Sequence, residues 1–186
     1  MMSVNPASPA RPRGVLDHVA VALSTTFYTS FVPATLVSRS QRQGAEMLTR
    51  RKWTGAGIIG SFWGLATYIY LPHQWGSSWP ALAAGVALSI VASDRAEKAL
   101  GVHDDPRIVI DEWIGCWIAV YGLPPEWGLP TMAGLILFRI FDVLKGPWGR
   151  WLQKLPGGFG VTLDDVVAGV IANVFLRLLI PYFPGY

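Results

Sequence analysis

The sequence predicts an all-α fold: a polytopic membrane bundle of about five short spans, preceded by a re-entrant or interfacial N-terminal segment. Three observations lead there. Hydrophobic residues make up 52% of the chain and charged residues only 15%, with nine Trp, a balance found in membrane proteins rather than soluble ones. Apolar stretches recur between polar ones. Lys and Arg collect in alternate loops, as the positive-inside rule requires of a multi-pass chain.

The elements follow in order. Residues 1–17 are Pro-rich at their start and lack an apolar core of their own, so they read as a disordered tail rather than a signal peptide. Residues 18–186 then form one membrane-embedded domain. The run 18–38 carries no formal charge but is rich in Ser and Thr and holds Pro33. Its hydroxyls need partners, which suits a re-entrant segment better than a lipid-facing helix. A basic connection follows, with Arg39, Arg42, Arg50, Arg51 and Lys52; it reads as a patch for anionic lipid or for substrate. Helices are expected over 55–72, 79–93, 108–123, 127–141 and 165–181. In the first of these, Gly57, Gly60 and Gly64 line about one face and invite close packing. Several segments fall short of the roughly 20 residues a bilayer needs, and buried soluble helices are the competing reading.

The loops 39–54, 94–107 and 145–164 hold Lys and Arg, while 73–78 and 124–127 hold neither. The basic loops therefore belong on the cytoplasmic side. The acids Asp104, Asp105, Asp111, Glu112, Asp142, Asp164 and Asp165 fall on the same side. A net charge of +3 and the lack of a binding motif argue against nucleic acid. One Cys and three scattered His exclude an intramolecular disulfide and a Cys- or His-built zinc site.

Carboxylates without His or Cys are hard oxygen ligands, suited to magnesium, manganese or calcium. Arg139, Asp142 and Lys145 are spaced three apart and share a helix face, so an acid stands between two phosphate-binding cations. Each group also has a plainer reading. Asp111–Glu112 and Asp164–Asp165 stand where helix-capping acids stand. Arg139 and Asp142 can form a buried ion pair. Gly157–Gly160 reads as a flexible turn or a phosphate-cradling loop. Signatures of cysteine, aspartyl and histidine phosphatases are missing, which leaves metal-activated water attacking a phosphate monoester.

Three blocks carry a family resemblance. Ile108-Val109-Ile110-Asp111-Glu112-Trp113-Ile114-Gly115, Phe138-Arg139-Ile140-Phe141-Asp142-Val143-Leu144-Lys145, and Gly157 through Gly169 (GGFGVTLDDVVAG) resemble phosphatidylglycerophosphatase A in order and spacing. The lead-in Gly101-Val102-His103-Asp104-Asp105 agrees. The resemblance implies a magnesium-dependent phosphoric monoester hydrolase of the bacterial inner membrane. Its anionic phospholipid substrate, phosphatidylglycerophosphate, would lose its terminal phosphate at the cytoplasmic face to give phosphatidylglycerol. Asp111, Glu112, Asp142, Asp164 and Asp165 are then expected to supply the Mg2+ ligands and the base for water, with Arg139 and Lys145 on the phosphate. Two fragments compete for the family's N-terminal Ser- and Gly-rich block, Val32–Ser38 and Gly57–Ser61. The second fits the distance to Gly101 better. Ser61, Thr54 and Lys52 are accordingly expected near the phosphate. A phosphatase of another phosphomonoester lipid and a non-enzymatic transporter with intramembrane acids are the alternative functions.

Overall fold

A computed structural model describes residues 14–32, 55–76, 78–101, 105–144, 146–152 and 155–184. Among them are six principal helices: α1 Val15–Ser24, α2 Ala56–Tyr70, α3 Trp79–Leu100, α4 Ile110–Val120, α5 Leu129–Val143 and α6 Gly158–Leu179. Short helical turns at His73–Gly76, Pro147–Leu152 and Ile180–Tyr182 join or end them. No strand occurs among the described residues, so the all-α expectation holds. No described helix is long and apolar enough to cross a membrane.

α1 stops at Ser24, and the chain turns through Thr26, Phe27 and Tyr28, all at positive φ (47°, 55° and 64°). Left-handed backbone costs an L-residue roughly 1–2 kcal/mol, and the segment's hydroxyls offset it. Thr25 Oγ1 donates to the Val21 carbonyl at 2.7 Å and accepts from the Tyr28 amide at 3.1 Å. Thr29 Oγ1 donates to the Thr26 carbonyl at 2.7 Å. Ser30 Oγ donates to the Arg107 carbonyl at 2.6 Å. The Ser/Thr-rich run is thus a broken helix whose hydroxyls serve the break. Where α1 ends, the Ser24 carbonyl accepts the Val109 amide at 2.7 Å, just before α4 begins.

Two helices run further than the sequence predicts. α3 continues past 93 to Leu100 because Ala92, Ala96, Ala99 and Leu100 extend its buried stripe against Val21, Ile108 and Ile110. The charges between them, Asp94, Arg95 and Lys98, face outward and pair as Asp94–Lys98 (2.6 Å) and Arg95–Asp17 (3.4 Å). Gly101 then ends the helix at φ +70°, its amide donating to Glu97 O at 2.8 Å. α6 starts at Gly158, seven residues early. Gly157–Gly160 is therefore neither an open turn nor a separate loop but the entry and first turn of α6. A side chain on Gly158 would collide with the Ile90 carbonyl, which is why glycine stands there.

The direction of the helices alternates, so one end of the bundle gathers the starts of α2, α4 and α6 and the ends of α3 and α5. Glycine sets the separation at the crossings. A Cβ on Gly60 would lie 2.8 Å from Val109 Cβ, and one on Gly64 would strike the Trp113 carbonyl. Between α4 and α6, a Cβ on Gly115 would lie 3.0 Å from the Asp165 carbonyl, and one on Gly169 would strike the Gly115 carbonyl. The face expected from Gly57, Gly60 and Gly64 is the one that packs. Leu65, Tyr68, Cys116, Ala119, Phe138, Ala168 and Leu176 fill the core between these helices. At the opposite end Tyr68 donates to the Leu123 carbonyl at 2.7 Å, and Asn173 and Arg177 both bond the Tyr121 carbonyl (3.0 and 2.9 Å).

Of the expected tail over residues 1–17, residues 1–13 lie outside the described residues, but Val15, Leu16 and Asp17 form the first turn of α1 rather than a disordered end. The basic connection over 39–54 and the last part of the 18–38 run, 33–38, also lie outside them. One prediction follows from the crossings. Gly60→Ala should cost about 1–3 kcal/mol of stability and lower the thermal midpoint of the purified protein. Gly128→Ala should barely move it, because that Cβ would meet nothing closer than 3.6 Å.

Candidate active site

The site forms at the end where α2, α4 and α6 begin. Asp111 and Glu112 are the second and third residues of α4. The residue before the helix is Val109, and no side chain caps it. Asp164 and Asp165 lie nearly two turns inside α6, not at its start, which corrects the reading that placed them beside the helix N-terminus. All but Glu112 are buried, Asp165 to 2% and Asp164 to 1% exposure. Neither pair is therefore explained as a helix cap.

One oxygen from each of Asp111, Glu112 and Asp165 falls within 4.8 Å of the others. At an effective dielectric near 20, two unit charges at that distance repel by on the order of 3 kcal/mol. Three such groups are not stable together fully ionised without compensating positive charge. Glu112 Oε2 is buried with no hydrogen-bond partner among the described residues, a costly state for a carboxylate oxygen. The donor set is all oxygen, and its spread suits one small hard cation after slight contraction. On these grounds the three residues fit a magnesium ion.

Positive charge comes from Arg139, one turn before the end of α5. Its Nη1 lies 3.0 Å from Asp142 Oδ2 and donates to Ser61 Oγ at 3.3 Å. Ser61 Oγ donates in turn to the Gly57 carbonyl at 2.9 Å. Glu112 and Arg139 approach each other over Gly57. A Cβ there would collide with Glu112 Oε1 and lie 3.0 Å from Arg139 Nη1. The first turn of α2 is thus bare so that an acid and a guanidinium can share the space above it.

The three sequence blocks therefore meet. Asp111, Glu112 and Asp165 form one oxygen cluster, with Arg139, Asp142 and Ser61 as a second chain of contacts alongside. Asp142 is tied to Arg139, three residues earlier, and Asp164 is buried next to Asp165; neither belongs to the three-oxygen cluster. Lys145, Thr54 and Lys52 lie outside the described residues. So does Asp104 of the acidic run, while Asp105 is 4% exposed and serves a different purpose. It holds Arg107 through an ion pair with Nη2 and a 2.8 Å bond from Nε, and that hydrogen bonding raises the Arg107 pKa. Arg107 also lies 5.1 Å from the Phe31 ring centre. This clasp locks the turn into α4 against the N-terminal segment. The Ser89–Thr162 pair (3.0 Å), which joins α3 to α6 one turn before Asp165, carried no clear mark in the sequence; Gly57, expected as a packing glycine, also gives room to the Glu112 and Arg139 side chains.

Comparison with known proteins finds relatives over most of the chain. A family model described as phosphatidylglycerophosphatase A matches residues 22–180. A phosphatidylglycerophosphatase A of Escherichia coli (strain K12) is 38% identical over 135 residues, covering 69% of this chain and 76% of that protein. Another, from Haemophilus influenzae, is 40% identical over 76 residues, 40% of this chain and 47% of that protein. A protein of Bacteroides thetaiotaomicron, whose name provisionally assigns it as a phosphatidylinositol-3-phosphatase, is 33% identical over 130 residues, 67% of this chain and 80% of its own length. No solved structure matches.

The oxygen cluster carries its own prediction. Purified protein should bind Mn2+, a paramagnetic stand-in for Mg2+, as read by electron paramagnetic resonance. Asp165→Asn should weaken that binding at least about tenfold, and unchanged binding would remove Asp165 from the cation site.

Proposed function

The chain belongs to the phosphatidylglycerophosphatase A family, and from that premise we propose that it hydrolyses phosphatidylglycerophosphate to phosphatidylglycerol and inorganic phosphate. The observation that carries this reading is the cluster of Asp111, Glu112 and Asp165 oxygens within 4.8 Å, beside an arginine already held by two partners. It is an arrangement suited to an anion that arrives with a cation.

A magnesium ion held by Asp111, Glu112 and Asp165 would supply an activated water and neutralise phosphate oxygens. The chain's own groups do the rest. Arg139 binds the terminal phosphate and stabilises the charge that develops on it. Asp142 and Ser61 fix the guanidinium so that little ordering remains at the moment of reaction. A carboxylate of the acidic set takes a proton from the attacking water. Water oxygen bonds to the terminal phosphorus, the bond from phosphorus to the glycerol oxygen breaks, and that oxygen gains a proton as phosphatidylglycerol leaves. Asp164 is the second acid available for proton transfer, and Lys145, six residues after Arg139 in the sequence, adds charge for the phosphate.

Our reading puts the bundle in the bacterial inner membrane with this end at the cytoplasm. Many large apolar side chains are exposed on its outer faces, among them Val91, Ile136, Val143, Phe175 and Leu178, and exposed apolar surface on this scale supports a lipid contact. The far end carries a belt of aromatics, including Trp127 bonded to Tyr70 (3.1 Å) and Trp79 against Tyr121 (ring centres 4.9 Å), as membrane interfaces favour. α3 and α6 have 22 residues each, about 33 Å of helix. That exceeds the hydrocarbon thickness of about 30 Å, although charges occupy the last turns of α3 and Asp164, Asp165 and Arg177 interrupt α6. The basic loops set the orientation.

The Bacteroides relative supports a second reading, in which another phosphomonoester lipid is the substrate. Purified protein should release phosphate from phosphatidylglycerophosphate and not from phosphatidylinositol 3-phosphate; the reverse preference would establish the alternative. EDTA should abolish release, and added Mg2+ should restore it. Asp111→Asn should lower kcat at least about a hundredfold. Arg139→Lys should lower kcat/KM about tenfold, because an ammonium lacks the planar fork that holds Asp142 and Ser61 on one nitrogen and leaves others for a phosphate.

A further inference from the structure

An α-helix leaves its last four carbonyls without partners of its own. At the end of α1 three of the four are satisfied locally. Val21 O accepts the Thr25 amide at 3.0 Å and the Thr25 hydroxyl at 2.7 Å. Leu23 O accepts the Thr26 amide at 3.2 Å, and Ala22 O accepts the Phe27 amide at 2.6 Å. Such a crossed pair ends many helices, with a left-handed residue, most often glycine, at the turn. Here that residue is Thr26, and Phe27 and Tyr28 stay left-handed after it. Three such residues in a row, none a glycine, persist only where the surroundings hold them, and they collect at working parts of proteins.

The fourth carbonyl shows what the break achieves. In an uninterrupted helix Ser24 O would accept the Tyr28 amide. The fully buried Thr25 hydroxyl takes that amide instead, at 3.1 Å. Ser24 O is thereby left for the Val109 amide at 2.7 Å. Val109 is the residue from which α4 starts, and its own carbonyl accepts the Trp113 amide at 3.1 Å. Asp111 and Glu112 lie between those two residues. A second tie follows at Ser30. Its amide reaches back to Thr25 O at 3.3 Å, and its buried hydroxyl donates to Arg107 O at 2.6 Å. Both ties run from the break in α1 into the few residues that lead to the carboxylates.

We infer that Thr25 and Ser30 are positioning residues for the cation site. The break they hold presents Ser24 O and Ser30 Oγ to residues 107–109, and so sets where Asp111 and Glu112 stand opposite Asp165. Each acts through the backbone ahead of α4 rather than on cation or substrate. The inference rests on the reading of Asp111, Glu112 and Asp165 as cation ligands and deepens it. A cap with a structural role alone would change stability and leave the cation affinity of the folded protein untouched.

The test reads Mn2+ affinity by electron paramagnetic resonance and hydrogen exchange at the Val109 amide, on the full chain in detergent. Thr25→Val keeps the side-chain shape and removes the hydroxyl. Mn2+ binding should weaken about tenfold, and the Val109 amide should exchange faster. Thr25→Ser restores the hydroxyl and should return both values to those of the wild type. Ser30→Ala should also weaken Mn2+ binding, and it decides the matter if Thr25→Val does not fold. Val21→Ala truncates a buried side chain of the same helix and leaves every hydroxyl in place; it should lower Tm with Mn2+ affinity unchanged. Unchanged affinity in either folded hydroxyl variant overturns the role of that residue. An equal loss of affinity with Val21→Ala, or weaker binding in Thr25→Val without faster exchange at Val109, overturns the route through Ser24. A wild-type protein that binds no Mn2+ overturns the inference outright. None of these readouts needs turnover, so absence of phosphate release from a protein that passes them counts against the hydrolase reading alone.

Discussion

The bundle depends on helices that cross with backbone touching backbone. α2 rests on α4 through Gly60 and Gly64, and α4 rests on α6 through Gly115 and Gly169. Any side chain at these points would push the axes apart. Separation of the axes decides how near Asp111 and Glu112 on one helix come to Asp165 on another. In most proteins close packing is a matter of stability. Here it also sets the spacing of three like charges, so the same glycines govern both.

That spacing carries an electrostatic cost, and the rest of the local structure is arranged around it. Arg139 stands close by but is held by Asp142 and Ser61 rather than collapsing onto the cluster. A guanidinium fixed in this way remains open to an incoming anion. Asp105 has the opposite fate: it is consumed by Arg107 and holds the approach to α4. Acids from one short stretch of sequence thus divide into one that braces a turn and a pair that joins the oxygen cluster.

Much of this was legible beforehand. The apolar windows located five helices to within a few residues at most ends, because a stripe of buried residues leaves a clear trace in composition. They failed where that trace was covered. Charged residues between Ala92, Ala96 and Ala99 hid the last two turns of α3, and Gly157–Gly160 looked like a loop because glycine's need for close approach is invisible without the facing Ile90 carbonyl. At the site, Asp111, Glu112 and Asp165 were named and do come together. The three-residue spacing of Arg139 and Asp142 announced their contact. Ser61 stood out only through a family block, since a serine four residues after a glycine in an apolar helix carries no chemical signature of its own. The expectation of membrane spans rested on composition and loop charge, and helix length alone does not supply it.

The bond from the Val109 amide to the Ser24 carbonyl gives the N-terminal segment a significance beyond packing. A helix start normally leaves its early amides to water or to a capping side chain; here the amide just before α4 is satisfied by a residue some eighty positions upstream. The posture of Asp111 and Glu112 is therefore inherited in part from α1. Anyone grafting this domain into a chimera, or trimming it to a minimal version, would need to keep everything from Gly14 onward, because a shorter piece could retain every acid and still present them in the wrong register.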